Sequence, residues 1–411
     1  METIKARTLR LSSSLRSRTA EESLKFAAAI AMSRGISRVV DTTWLDRIGI
    51  PVFASIRPDA AVGSLCVHAG KGFTPDEAKI GAFMEGIEFS FAEPGRSVVN
   101  WSMAKPLDIP KSFGGNILLP DFGPQFGRRI SDADDIAVVE GDELLSRKGK
   151  VLVPAELVFH PFHENTGVRL YGTTTNGLAS GSTLLEATVH ALAEVIERDI
   201  RSFEIVDDCS ILIDVENAPP QVKAISARIE DTGLRCYLRY SPNAFGLPYF
   251  SAYILEPAET NPIAVAAGFG LHPIAEIAAV RALAEAAQSR LTHIHGGRDD
   301  TIQRATLALN VRHDVELESV RCLRGMAAES TRTIRFSDVP TFDQNVSSLE
   351  EALDCLFEAL GRVPLRHVVR VTFTEPSYPF QVVKIIVPGA EMFEHQLRRV
   401  GPRLLERLSN G

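Results

Sequence analysis

An α+β fold, with helices packed on mixed sheets, is what this sequence predicts, and three observations carry the prediction. Strand-like and helix-like segments mix along all 411 residues without the regular βαβ rhythm of a doubly wound sheet. Hydrophobic residues make up 45% of the chain and charged residues 23%, the balance of a globular protein with a large core. Helix starts are also written explicitly, as a threonine followed three residues later by a glutamate.

Taken in order, METIKARTLRLSSSLRSRT is basic and Ser-rich, lacks an apolar signal-peptide core, and reads as a tail over residues 1–20. One domain follows, over 21–411. Thr19 and Glu22 form a capping box that opens a helix to about Arg34, before strands in GISRVVD and PVFASIR. GKGFTPDEAKIGAFMEGIEFSFAE joins a glycine loop to a helix that starts with a Thr74/Glu77 capping box and Pro75 at its first position. Residues 94–165, richer in Pro, Gly and mixed charge, read as irregular structure with short strands. A turn-forming YGTTTNGLASG then leads into the helix of SGSTLLEATVHALAEVIERD, residues 180–199. Further helices are expected at 220–232, 273–292, 348–361 and 393–409, interleaved with strand-like LRCYLRY, PYFSAYILE, PIAVAAGFG, RHVVRVTF and FQVVKIIVP.

The net charge of −8 repels nucleic-acid phosphates and anionic membrane surfaces, and no apolar run approaches the roughly 20 residues of a membrane-spanning helix. Five cysteines at wide, irregular spacing fit neither a disulfide framework nor a zinc knuckle, and read as mostly buried thiols of a reducing cytoplasm. A cytoplasmic protein that binds neither nucleic acid nor membrane is therefore expected.

Three helices carry carboxylates at helical spacing. Glu85 and Glu88 stand at i, i+3, as do Glu194 and Glu197, and Glu285 is followed at i+3 by Gln288. At about 100° per residue, Glu194 lies roughly 80° and Glu197 roughly 20° around the helix from Glu186, so one face holds all three. Like charges on one face repel unless they are solvated, paired with bases, or gathered around a cation. Lys71 and Arg198 are the nearest bases of note. Hard divalent cations take oxygen ligands, and magnesium is commonly held by carboxylates together with substrate phosphates. AGKGFTP lacks the spacing and hydroxyl of the usual phosphate loop, so a nucleotide would bind in another way. Simpler readings stand beside this one. Glu186 three residues after Thr183 reads as a capping residue, the other pairs as solvated faces, and Lys71 as a surface lysine. HPFH at 160–163 and HIH at 293–295 have metal-ligand spacing, without a third partner for zinc.

Taken together, these pieces resemble the YcaO family. The residues that carry the resemblance are AGKGFTPDEAKIGAFMEGIE (69–88), TTTNGLASGSTLLEATVHALAEVIERD (173–199), AVRALAEAAQSRLTHIHGGRDD (279–300) and the closing VVKIIVPGAEMF with RRVGPRL (382–404). The resemblance implies a YcaO-type fold and an ATP- and Mg²⁺-dependent enzyme that acts on backbone amides of a ribosomally made peptide or protein. By the same resemblance Glu85, Glu88, Glu186, Glu194, Glu197 and Glu285 form the metal and phosphate cage, and Lys71 and Arg198 offset phosphate charge. Asn176, Ser180, Ser182, Gln288 and Arg290 become candidates for nucleotide contacts. No enzyme nucleophile is implied, and no catalytic residue is assigned.

In the family a side chain of the peptide, or external sulfide, adds to the amide carbon. The amide oxygen is phosphorylated and leaves as phosphate, giving an azoline or a thioamide; an amine can give an amidine. Gly81 stands where members often have serine, and Phe89 where they have arginine. Those two departures support the alternative of a catalytically degenerate, peptide-binding subunit. The chain closes RVGPRLLERLSNG rather than with the proline-rich tail common in azoline-forming members, which inclines the reading toward thioamide formation with a TfuA-like partner. No extra domain precedes residue 50 to grip a leader peptide, so a separate recognition protein is expected, and homodimers are common in the family.

Overall fold

The structure is a computed structural model that describes residues 8–146, 149–163, 167–259, 263–298, 313–394 and 397–410. The chain divides into two compact units. The first takes the residues up to Ala60, Leu65–Ile87 and Cys209–Ser347; the second takes Ala61–Ser64, Glu88–Asp208 and the residues from Ser348 onward.

In the first unit a five-stranded sheet runs in the order Val265–Leu271, Tyr249–Leu255, Arg235–Tyr240, Ile211–Asp214 and Thr333–Arg335. Its neighbours are antiparallel except for the last pair, which is parallel. The helix Ala275–His295 lies on this sheet, burying Ala278, Ala282, Leu283 and Ala286 in one core with Leu238, Phe250 and Ile254. The approach is close enough that a Cβ at Gly268 or Gly270 would overlap the backbone of Ala282 or Ala286 at the first, and of Ala278 at the second. A three-stranded antiparallel sheet of Arg38–Asp41, Val52–Ile56 and Val67–Lys71 repeats the device. There a Cβ at Gly70 would overlap Ala78 and Ala82 of the helix Pro75–Ala92. Gly70 precedes Glu85 by the same interval as Gly270 precedes Glu285, so two strand–glycine–helix units deliver a glutamate from the same place.

In the second unit the main sheet is antiparallel throughout, in the order Ser102–Ala104, Ile136–Glu143, Val369–Thr372, Gln381–Ile386 and Leu178–Gly181, with Lys150–Pro154 also pairing Ile136–Glu143. The helix Leu184–Val206 packs on the last two strands, and on its other side against the helix Leu349–Leu360. Its start is fixed by the Thr183 hydroxyl, which accepts the Glu186 amide at 3.1 Å. Far along the same helix, buried Asp199 pairs with Arg403 of the C-terminal helix Pro402–Asn410.

Several expectations change. Among the short strands expected within 94–165, Ile136–Glu143 runs to eight residues, its buried positions interleaved near the end with exposed Glu140 and Asp142. The helix expected at 393–409 begins only at Pro402, because proline has no N–H to continue a helix and fits best in its first turn. His313–Ala328 forms a helix that the sequence reading did not foresee. Of the expected tail, residues 1–7 lie outside the described ones. Leu9–Arg10 pairs with Leu15–Arg16, and Arg10 reaches Glu276 at 3.2 Å and Asp343 at 2.5 Å. The cysteines are all free, yet only Cys236 and Cys355 are buried, while Cys209 and Cys322 are exposed. Among the described residues no helix is long and apolar enough to cross a membrane.

Candidate active site

Each unit carries one of two carboxylate clusters. In the first unit, Lys71 at the end of its strand pairs with Glu285 at 2.6 Å, each side chain about a quarter exposed (25% and 26%). Glu85 accepts the Ala69 amide at 2.8 Å, and Gln288 donates to the Ala69 carbonyl at 2.7 Å. Two helices thus grip one residue of the strand that ends in Lys71. Burial raises the Glu85 carboxyl above its ordinary range, against the pull of Arg298, the Ala69 amide and Lys71, and Glu285 adds to the rise.

Arg290, five residues beyond Glu285, is only 2% exposed. Its guanidinium bridges Asp46 at 2.9 Å and Glu256 at 2.6 Å, and Arg47 reaches the other Glu256 oxygen at 2.9 Å. The remaining terminal nitrogen, Nη1, is buried without a hydrogen-bond partner among the described residues.

In the second unit, Glu88 accepts both the amide and the hydroxyl of Ser180, at 2.8 and 2.5 Å. Glu186 and Glu197 are 2% and 4% exposed, which removes the reading of this face as solvated charge. The Arg198 guanidinium lies 3.9 Å from Glu197. Half-buried Glu194 accepts the Gly177 amide at 3.4 Å. Burial pushes its carboxyl up to about 7; the charge of Glu197 adds to the rise, while Arg198, Lys384 and the Gly177 amide oppose it. Ser182 lies half-buried in the turn that enters the helix. Asn176 is anchored by its amide to the Thr174 hydroxyl at 3.1 Å, and its side-chain oxygen is buried without a hydrogen-bond partner among the described residues.

Sequence reading missed Lys384. It is 1% exposed on the strand Gln381–Ile386, every residue of which is buried, and its ammonium donates to the Thr174 carbonyl at 2.5 Å. Burial pulls it down to about 7 against the attraction of Glu194. The signal was present in FQVVKIIV, where a lysine stands between two valines and two isoleucines.

The histidine pairs go elsewhere. His160 meets the Thr173 hydroxyl at 3.1 Å and the edge of Phe89, whose buried ring stands where arginine was expected. Its partner His163 faces the Val62 carbonyl at 3.1 Å, and His293 bonds the Ser289 carbonyl of its own helix at 2.8 Å. Gly81 packs against Gly70, with its missing Cβ 3.2 Å from the Gly70 Cα, so a serine there would press on the strand. Asp299 and Asp300 of the GGRDD block lie outside the described residues.

Among the described residues no three acidic, histidine or cysteine side chains stand together as a ready metal site. The donor chemistry nonetheless fits Mg²⁺. Every candidate ligand is a carboxylate oxygen, two are buried beyond what a solvated glutamate would be, and the orphaned Asn176 oxygen and Arg290 nitrogen are polar atoms of the kind a bound ligand satisfies. Magnesium would replace backbone amides and Lys71 as partner of these carboxylates.

The YcaO family model, described as YcaO cyclodehydratase, ATP- and Mg²⁺-binding, matches residues 69–391. An uncharacterized protein of Methanothermobacter thermautotrophicus is 33% identical over 373 residues, 90% of this chain and 93% of its own length. An uncharacterized protein in the tfuA 3′ region of Rhizobium leguminosarum bv. trifolii is 28% identical over 379 residues, 87% of this chain and 84% of its own. YcaO from Methanopyrus kandleri, solved bound with AMPPCP and Mg²⁺, superposes with a TM-score of 0.73 at 25% identity, over 96% of this chain and 97% of that one. A heterocyclase in complex with substrate and cofactor shares the fold, with a TM-score of 0.73 at 16% identity over 97% of this chain and 56% of its own. The glutamates at matching intervals, the two orphaned polar atoms and the matched 69–391 lead to one conclusion: this chain belongs to the YcaO family of ATP- and Mg²⁺-binding cyclodehydratases.

Proposed function

We propose that this enzyme activates a backbone amide of a ribosomally made peptide or protein for thioamide formation, and that it works with a TfuA-like partner. The observation that supports the ATP-dependent reading is the burial of Glu186 and Glu197 beside half-buried Glu194 on one helix face, where three like charges repel and a bound cation would relieve the repulsion. The match to a relative in a tfuA 3′ region supports the choice of partner and product.

When bound, ATP supplies the phosphoryl group that turns the amide oxygen into a leaving group, and Mg²⁺ spreads the charge of the phosphates. The chain's own share is placement. Glu85 and Glu285 in the first unit, and Glu88, Glu186, Glu194 and Glu197 in the second, would hold the ions. Lys71 and Arg198 would offset phosphate charge, and Asn176, Ser180, Ser182, Gln288 and Arg290 would orient the nucleotide. Sulfide adds to the amide carbon, the oxygen leaves as phosphate, and sulfur remains in its place; ATP becomes ADP.

The test is mass spectrometry of a candidate peptide after incubation with this enzyme, a TfuA-like protein, sulfide, ATP and Mg²⁺. A product heavier by the difference between sulfur and oxygen is expected. A product lighter by one water would establish azoline formation instead. ATP binding with no modified peptide, for every partner tried, would favour a peptide-presenting subunit in which Gly81 and Phe89 mark the lost chemistry.

A further inference from the structure

We propose that Lys384 is a positioning residue of the nucleotide site: it clamps the Thr174 carbonyl, and so sets the loop that presents Asn176. The inference rests on the reading of Asn176 and Glu194 as nucleotide and metal contacts.

The geometry is a two-residue clamp. Lys384 and Ile385 are consecutive on the strand Gln381–Ile386, and both reach the same loop. The Lys384 ammonium donates to the Thr174 carbonyl at 2.5 Å, and the Ile385 amide donates to the Gly177 carbonyl at 2.8 Å. Between these two anchors lies Asn176. Thr174 is the hub, since its hydroxyl accepts the Asn176 amide at 3.1 Å and donates to the Met392 sulfur at 3.3 Å. Gly177 closes the loop at φ +77°, and its lack of a Cβ lets the backbone lie against the Ile385 carbonyl, where any side chain would overlap. Releasing Thr174 from Lys384 therefore releases the residue whose orphaned side-chain oxygen is offered to the ligand.

A packing role alone does not explain a lysine here. Its neighbours on the strand are buried and mostly apolar, and methionine would fill nearly the same volume without the cost of burying an ammonium. The groups whose charges reach it are Glu194, Arg399 and His160. Glu194 alone attracts it. Arg399 is itself committed to the Phe122 and Gly123 carbonyls, at 2.7 and 2.9 Å, and His160 is neutral near pH 7 because burial holds it down to about 4. The ammonium of Lys384 is thus committed to the Thr174 carbonyl, and Glu194 is the group whose charge favours keeping it protonated.

Two substitutions separate the hydrogen bond from the ammonium charge. Lys384→Met removes both; Lys384→Gln keeps a donor for Thr174 but not the charge. ATP binding at saturating Mg²⁺ and the melting midpoint are measured for each. With Lys384→Met, ATP affinity measured well below the variant's melting midpoint is expected to fall about tenfold or more, as for loss of a charge-assisted hydrogen bond. Lys384→Gln is expected to recover most of that affinity, because its amide still donates to the Thr174 carbonyl. Unchanged ATP affinity in Lys384→Met, or equal losses in both variants with a lowered melting midpoint, would overturn the proposal. A parent protein that binds no ATP would remove the nucleotide-site reading itself, and the role of Lys384 with it.

Discussion

Glu194→Gln is expected to weaken Mg²⁺-dependent ATP binding by about a hundredfold or more, equivalent to about 2.7 kcal/mol, without unfolding the protein. Glutamine keeps the size of the side chain and its hydrogen-bonding oxygen, so the contact from the Gly177 amide survives, while the charge that would bind the cation is gone. Calorimetric titration of ATP with and without Mg²⁺ measures the loss. Stability should move the other way. The Glu194 carboxyl lies at about 7 in the folded chain against an ordinary 4.5, so its favourable contribution is complete below 4.5 and is lost as pH rises through 7. In Mg²⁺-free buffer the melting midpoint of Glu194→Gln should therefore gain on the parent's as pH is raised from about 5 to 7. Binding equal to the parent's would reduce Glu194 to a buried structural carboxylate.

Arg290→Met should have the opposite signature, a loss of about 3–5 kcal/mol of stability in the first unit. The substitution leaves Asp46 and Glu256, with side chains 5% and 7% exposed, without the guanidinium that joins them; Arg47 still reaches Glu256. Denaturant titration measures the loss, and the same variant's ATP affinity at low temperature shows whether the orphaned Nη1 also serves the nucleotide. A purely ligand-binding arginine would leave the denaturation midpoint unchanged. The sequence motif QSR could not reveal this double commitment, because Asp46 and Glu256 are remote from Arg290 in sequence.

What was legible in the sequence followed from local rules. Thr74/Glu77 and Thr183 mark true helix starts because capping is a contact between residues three apart, and the i, i+3 glutamates lie on helices as their spacing requires. The strand QVVKII announced itself by its β-branched residues, and VAAGFGL by a short apolar run bounded by turn residues. What was not legible depends on distant partners. Ile136–Glu143 is a strand because Lys150–Pro154 and Val369–Thr372 pair with it, and Lys384 gains meaning only when register places it against the loop that follows Gly172. Burial of Glu186 and Glu197 was likewise invisible, since a helical wheel shows which residues share a face but not what covers it.

The bare glycines on the strands have a consequence for anyone mapping this enzyme by saturation mutagenesis. At Gly70, Gly268 and Gly270 even alanine collides with the helix above, so these positions should be as intolerant as the glutamates themselves. A tolerance map read by sensitivity alone would count them among the catalytic machinery. Expressed-protein abundance, recorded alongside activity, would separate them: glycine variants should vanish from the soluble pool, whereas glutamate variants should persist there without activity.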